Sequence, residues 1–206
     1  FGLCQLFKVW KNREGWQYRC KFDKSKKKII QVSCYGKKDR CERYDEYKID
    51  YEQLIPVNDY PFPWGNKFFS CFPEAVRGIP CELKQFNFDP SNKYDLVILG
   101  CQAWYLSPSI PINSFLKSKE AEILLNNIPV ITIHGVRNMW CCSQEIIKER
   151  LFNIGAKLTG NIVLYDKADN YIAGITIIRW LTQGKKESTM LLPEAGVSDE
   201  DIKNAS

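Results

Sequence analysis

The chain has one histidine, two methionines and no cysteines spaced C-x-x-C. With His134 as the sole imidazole, none of the usual zinc frameworks can be assembled. G-x-S-x-G, the P-loop and G-x-G-x-x-G are all missing, which argues against hydrolase, NTPase and dinucleotide-fold readings. No run approaches the roughly 20 apolar residues that span a membrane. No signal-peptide pattern is visible, so a cytoplasmic location is expected. Repeats and low-complexity stretches are also absent.

Basic charge is plentiful but confined to one end. Residues 1–43 hold 13 Lys/Arg against 4 Asp/Glu, a net of +9, while residues 44–206 hold 16 against 20, a net of −4. Cys4, Cys20, Cys34 and Cys41 also fall in the first part, and residues 1–27 show no sustained period of 2 or 3.6. Residues 1–43 therefore read as a basic, irregular segment, and 44–206 as the folded domain. A chain beginning at Phe1 with such a segment suggests a truncated or frame-disturbed gene start, or else a genuine extension. Trp10, Trp16, Tyr18 and Phe22 interleave with the cations, superficially as in single-strand nucleic-acid binders. No nucleic-acid motif accompanies them and the remainder is acidic, so nucleic acid is not the expected partner.

The middle of the chain is patterned as alternating strands and helices. Leu96 to Leu99 is apolar without alternation and ends at Gly100, as suits a strand buried on both faces of a parallel sheet. Ligands of open α/β sheets sit beyond the carboxyl ends of such strands. Gly100, Cys101, Gln102, Trp104 and Tyr105 fall there, and the two aromatics either stack on a flat ring or pack as loop aromatics. Pro129–Gly135 is a second such strand, followed by Val136, Arg137 and Asn138, where Asn138 is positioned as an N-cap. Trp140, Ile147, Leu151 and Ile154 line one helix face up to Gly155. Ser109–Lys117 predicts a helix with Pro111 in its first turn and Ile112, Phe115 and Leu116 on its buried side. Lys157–Asp166 and Tyr47–Ile55 read as strands, and Pro73 limits any helix near it to short pieces. Tyr171–Trp180 is assigned as a helix packed into the core, although its β-branched residues also suit a strand. Strand–loop–helix units in succession imply parallel pairing with right-handed crossovers.

Several motifs from about Tyr47 to Lys203 resemble flavodoxin-like proteins of the dialkylresorcinol-condensing-enzyme family. They are Tyr60-Pro61-Phe62-Pro63-Trp64, Phe72-Pro73-Glu74, Gly78 to Lys84, Trp104 to Pro111, Arg137-Asn138-Met139-Trp140 and Gly196 to Ile202. The resemblance implies a doubly wound, three-layer α/β fold and an FMN site. It also implies a role in aryl-lipid biosynthesis, oxidising a cyclic 1,3-dione to an aromatic ring beside a ketosynthase-like partner enzyme. Under it, Trp104 and Tyr105 would flank the flavin ring, and the backbones of Gly100–Gln102 and His134–Asn138 would meet its edge. His134 would donate to a flavin carbonyl or substrate oxygen, or else be a structurally hydrogen-bonded histidine. Arg137 would stabilise developing negative charge. The alternative is a cofactor-free module that binds a partner enzyme.

The front of the chain departs from that pattern. A flavodoxin-like phosphate loop carries hydroxyls and backbone N–H groups at a helix N-terminus. Here the nearest match is Lys28 to Lys38. Ser33 and Gly36 keep the spacing, but Tyr35 and Lys38 stand where hydroxyls belong. Losing two or three hydrogen bonds to a charged group costs about 3–9 kcal/mol, or roughly two to six powers of ten in affinity. The first β-α unit is thus expected to be degenerate or missing. No cysteine sits in a ketosynthase-like setting, which argues against carbon–carbon bond formation by this chain alone.

Overall fold

The computed structural model describes residues 27–33, 47–58, 60, 62–65, 67–137, 139–198 and 200. Five parallel strands run through it: β1 (Lys27–Ser33), β2 (Tyr47–Gln53), β3 (Leu96–Cys101), β6 (Pro129–Val136) and β7 (Lys157–Tyr165). Their order across the sheet is β2-β1-β3-β6-β7, with every neighbouring pair parallel. Renumbered by strand alone, this is 2-1-3-4-5, the flavodoxin-like doubly wound order. The fold is therefore the flavodoxin-like α/β type. A short antiparallel pair, β4 (Ala103–Trp104) and β5 (Ser107–Pro108), projects beyond β3.

Apolar runs decide which strands lie inside. Val97, Ile98 and Leu99 are all buried, because β3 is covered on both faces. On one face Ile30, Val32, Val97, Leu99 and Val130 meet the helices α3 (Ile110–Phe115), α4 (Lys119–Leu125) and α5 (Cys141–Ile154). These contribute Ile112 and Phe115, Leu124 and Leu125, and Ile147 and Leu151 respectively. The opposite face is thinner: Ile98 and Ile133 are buried, while Ile29, Ile131, Ile162 and Leu164 are half-buried. Burying each of the larger aliphatic side chains contributes about 1.5–3 kcal/mol.

Local chemistry sets the helix ends. Ser118 accepts from the Ala121 N–H at the start of α4, and Asp169 from the Tyr171 N–H at the start of α6 (Asn170–Gln183). Gly155 ends α5 with φ 84°, a conformation costly for any residue with a Cβ. Pro73 sits in the first turn of α2 (Phe72–Arg77), where its missing N–H is tolerated, and the helical stretch before it is only the short α1 (Lys67–Ser70).

Some expectations are corrected. All of α3 is buried, not one side of it. Ile112 and Phe115 pack into the sheet-side core, Ile110 packs against the Trp64–Trp104 cluster, and Asn113 and Ser114 bond to Gly78 and Cys81. At α5 Trp140 holds the cap position and its side chain makes no capping bond, while Asn138 lies outside the described residues. Tyr171–Trp180 is helical, but it does not bury its apolar face: Tyr171, Ile175 and Ile178 are exposed. The sheet also draws on both sides of residue 43, since β1 lies between β2 and β3.

Candidate functional site

Strand register brings four of the expected residues to one edge. Ser33 pairs with Gly100, and Cys101 with His134, so β1, β3 and β6 reach their carboxyl ends together. The switch point of this topology lies between β1 and β3, where connections leave in opposite directions. Ser33 is buried there. Gly135 is exposed, and a Cβ on it would meet nothing within 4 Å, which leaves its backbone open to a ligand. Val136 is buried beside it, and Gly36 lies outside the described residues. Cys101 turns inward, its Sγ 3.5 Å from the Leu99 carbonyl, so only its backbone faces the edge.

The loop after β3 is a tight hairpin. Tyr105 and Leu106 have φ of 51° and 69°, which makes a two-residue turn with both central residues left-handed. Asn-Gly suits that turn, and L side chains pay about 1–2 kcal/mol each to enter it. An aromatic cluster holds the hairpin in place. The Trp104 ring meets Trp64 edge-on at 4.7 Å and Tyr60 at 5.4 Å, and Phe72 meets Tyr105 at 4.9 Å. The Trp104 indole donates to Gln102 Oε1 at 3.3 Å, and the Ser109 N–H to the Gln102 carbonyl at 2.9 Å. Trp104 is thus 8% exposed and turned into the cluster, and Tyr105 is half-buried above Phe72.

Burial perturbs the groups around the hairpin. Tyr60 is pushed up to about 12, chiefly by desolvation, with Cys81 and Cys71 adding repulsion. The Tyr105 phenol is also raised, first by burial and then by Cys71, to which it is hydrogen-bonded. Burial raises the Cys71 thiol against that hydrogen bond. These groups stay neutral at ordinary pH, so they offer polar contacts rather than charge.

His134 lies deeper than an edge residue. Its side chain is 0% exposed, with Nε2 2.6 Å from Gln144 Oε1. Gln144 turns its amide nitrogen to Thr132 Oγ1 (3.4 Å), and Thr132 donates to Asn161 Oδ1 (3.0 Å). That arrangement assigns the proton to Nε2 and leaves Nδ1 buried without a partner among the described residues. Desolvation holds its pKa below the usual histidine value, opposed by the Gln144 bond. Of the two readings of His134, the geometry matches the structurally hydrogen-bonded one.

Arg137 reaches to α6. Its Nη1 donates to the Asn170 carbonyl at 3.2 Å, across the start of α6. A residue that pattern reading passed over is Asp166, just past β7. It is buried and accepts from the Ala168 and Gly196 N–H groups, which ties the C-terminal stretch to the ligand edge. Its position directly after an apolar strand was the available signal. Among the described residues no cluster could hold a metal ion, and no helix is long and apolar enough to cross a membrane.

No protein-family model matches the chain, and no curated protein does. Solved structures do resemble it. A Lactobacillus acidophilus flavoprotein in complex with FMN is 15% identical, with a TM-score of 0.49, over 67% of this chain and 93% of that one. The apo-form of the flavoprotein from the same organism has a TM-score of 0.40 at 15% identity, over 69% and 93%. A Bacteroides eggerthii protein reaches 0.47 at 15% identity, over 74% and 96%. Strand order, not these scores, carries the fold assignment.

Proposed function

We propose that this chain binds FMN at the carboxyl edge of β1, β3 and β6 and works as a flavin-dependent redox protein. The observation that carries the reading is the switch point, where Ser33 stands in register with Gly100 in a 2-1-3-4-5 sheet. FMN sits at that switch point in this strand order. The residues there suit a ring edge. Gly135 offers backbone with no side chain in the way, and the Gly100–Gln102 backbone lies on the neighbouring strand. Tyr105 supplies a half-buried, neutral aromatic at the mouth. Bound flavin would supply the electron transfer, and the protein would position it and shape its electrostatics.

Within that reading, Trp104 buttresses the hairpin rather than covering a ring, and His134 positions Gln144 and α5. Arg137 is held on the Asn170 carbonyl and is not assigned to the ring. The substrate class proposed is a cyclic 1,3-dione of an aryl-lipid pathway, oxidised to the aromatic ring, with a ketosynthase-like enzyme as partner. Its support is the resemblance in the motifs from Tyr60 to Ile202. A second reading, a cofactor-free module acting with a partner enzyme, draws support from the burial of Trp104.

Titration of purified protein into FMN, followed by flavin fluorescence, decides between them. Saturable quenching is expected at micromolar protein. Fluorescence unchanged at hundredfold excess would leave the cofactor-free module.

A further inference from the structure

Among the described residues, helix α6 leaves an apolar face uncovered. Tyr171, Ile175 and Ile178 recur at i, i+4 and i+7 and are 85%, 56% and 44% exposed. With exposed Met139 from the β6–α5 connection they line an open groove of about 470 Å³. Solvated helix faces normally carry charge, so three large apolar side chains in a row mark a binding surface. One end of the groove is charged. Arg137 lies there over Gly174, and its guanidinium uses one of its five N–H groups, on the Asn170 carbonyl. It has no carboxylate partner among the described residues, and α6 itself contains no acidic residue.

We infer that this groove binds an amphipathic monoanion, an alkyl carboxylate whose head pairs with Arg137 and whose first carbons lie along Ile175 and Ile178. A guanidinium presents a planar fork that matches a carboxylate in two parallel hydrogen bonds. Apolar walls beside it reject a small inorganic anion in favour of one with a tail. The missing side chain at position 174 gives the guanidinium room to approach the helix. The inference does not rest on flavin binding and is tested without flavin.

The experiment is isothermal titration of the protein at pH 7 with octanoate, decanoate and decanol, each below its aggregation limit. Decanoate is expected to bind tighter than octanoate by about two- to fourfold per added methylene. Arg137→Gln is expected to weaken decanoate at least tenfold and leave decanol unchanged. Ile175→Ser is expected to weaken both. Ile175 is exposed and Arg137 half-buried, and circular dichroism checks that each variant is folded. Failure of decanoate to bind, or equal affinity in Arg137→Gln, would overturn the assignment. So would association with phosphatidylglycerol vesicles without any binding of monomeric decanoate, which would make the face a membrane-docking surface. A dimer in sedimentation that Ile175→Ser dissolves would assign the face to a second copy and overturn it equally.

Discussion

Arg137 fills the space above Gly174: its Nη1 lies 2.8 Å from where a Cβ on that glycine would stand. The contact is with the far end of a flexible side chain, so an added methyl displaces the guanidinium rather than the helix. Gly174→Ala should therefore stabilise the fold by about 0.5–1 kcal/mol through helix propensity. Urea denaturation measures it. A loss exceeding 1 kcal/mol would mean that Arg137 cannot move.

The Tyr105–Leu106 turn holds strain that can be relieved. Leu106 is 44% exposed at φ 69°, so its side chain contributes little and its backbone costs much. Leu106→Gly should raise stability by about 0.5–1 kcal/mol, the relief of the left-handed residue minus the added freedom of the unfolded chain. A melting temperature below that of the parent would show that the Leu106 side chain matters where it stands.

Trp104 and Tyr105 should behave differently toward flavin. Trp104→Phe removes packing against Trp64 and Tyr60 and should cost about 1–3 kcal/mol of stability. FMN affinity, corrected for folded fraction, should change less than threefold. Tyr105→Ala should weaken FMN at least tenfold, by fluorescence titration. The reverse pattern would return Trp104 to the ring.

His134 is the sole histidine, so its titration can be read cleanly from stability. Its folded pKa is depressed below the unfolded value of about 6.5. The unfolded chain therefore takes the proton first, and stability should fall as pH drops below about 6.5, flattening once the folded pKa is passed. His134→Gln should lose that slope between pH 5 and 7 while costing about 1–3 kcal/mol at pH 7. Urea midpoints across the range test it, and an unchanged slope would place the titrating group elsewhere.

Asp166 pins the C-terminal stretch through the Gly196 N–H. Asp166→Asn keeps one acceptor oxygen and loses the charge, and should cost about 1–3 kcal/mol. Limited trypsin digestion after Lys185 and Lys186 should quicken several-fold. Unchanged digestion would mean that the Ala195–Lys186 backbone bond, the Lys186–Glu194 ion pair and the Arg179–Glu187 bond hold the stretch without Asp166.

The regular parts of the fold were legible because each carries its own period. Val97–Leu99 and Val130–Ile133 read as two-sided strands, and Ile147 and Leu151 as one face of a helix, from local pattern alone. The site was less legible. Nothing near Trp104 says which way the indole turns, since the rings that enclose it, Tyr60 and Trp64, lie forty residues upstream in a loop. His134 ends its strand in sequence, yet its alternation places it on the face under α5, where Gln144 meets it. Tyr171–Trp180 showed apolarity without saying what would cover it. Those are tertiary facts, set by how loops and helices meet.

The position of β1 has a consequence for damage to the protein. Among the described residues β2 pairs with β1 alone, and β1 also carries the ladder to β3. Trimming a border strand shortens a sheet by one, whereas a break within Lys27–Ser33 severs it. Tyr47–Gln53 would lose its neighbour, and Leu96–Cys101 would become a raw edge with its hydrogen-bonding groups open to other chains. A proline at Ile30 should therefore turn this protein toward aggregation, not toward a slightly smaller domain.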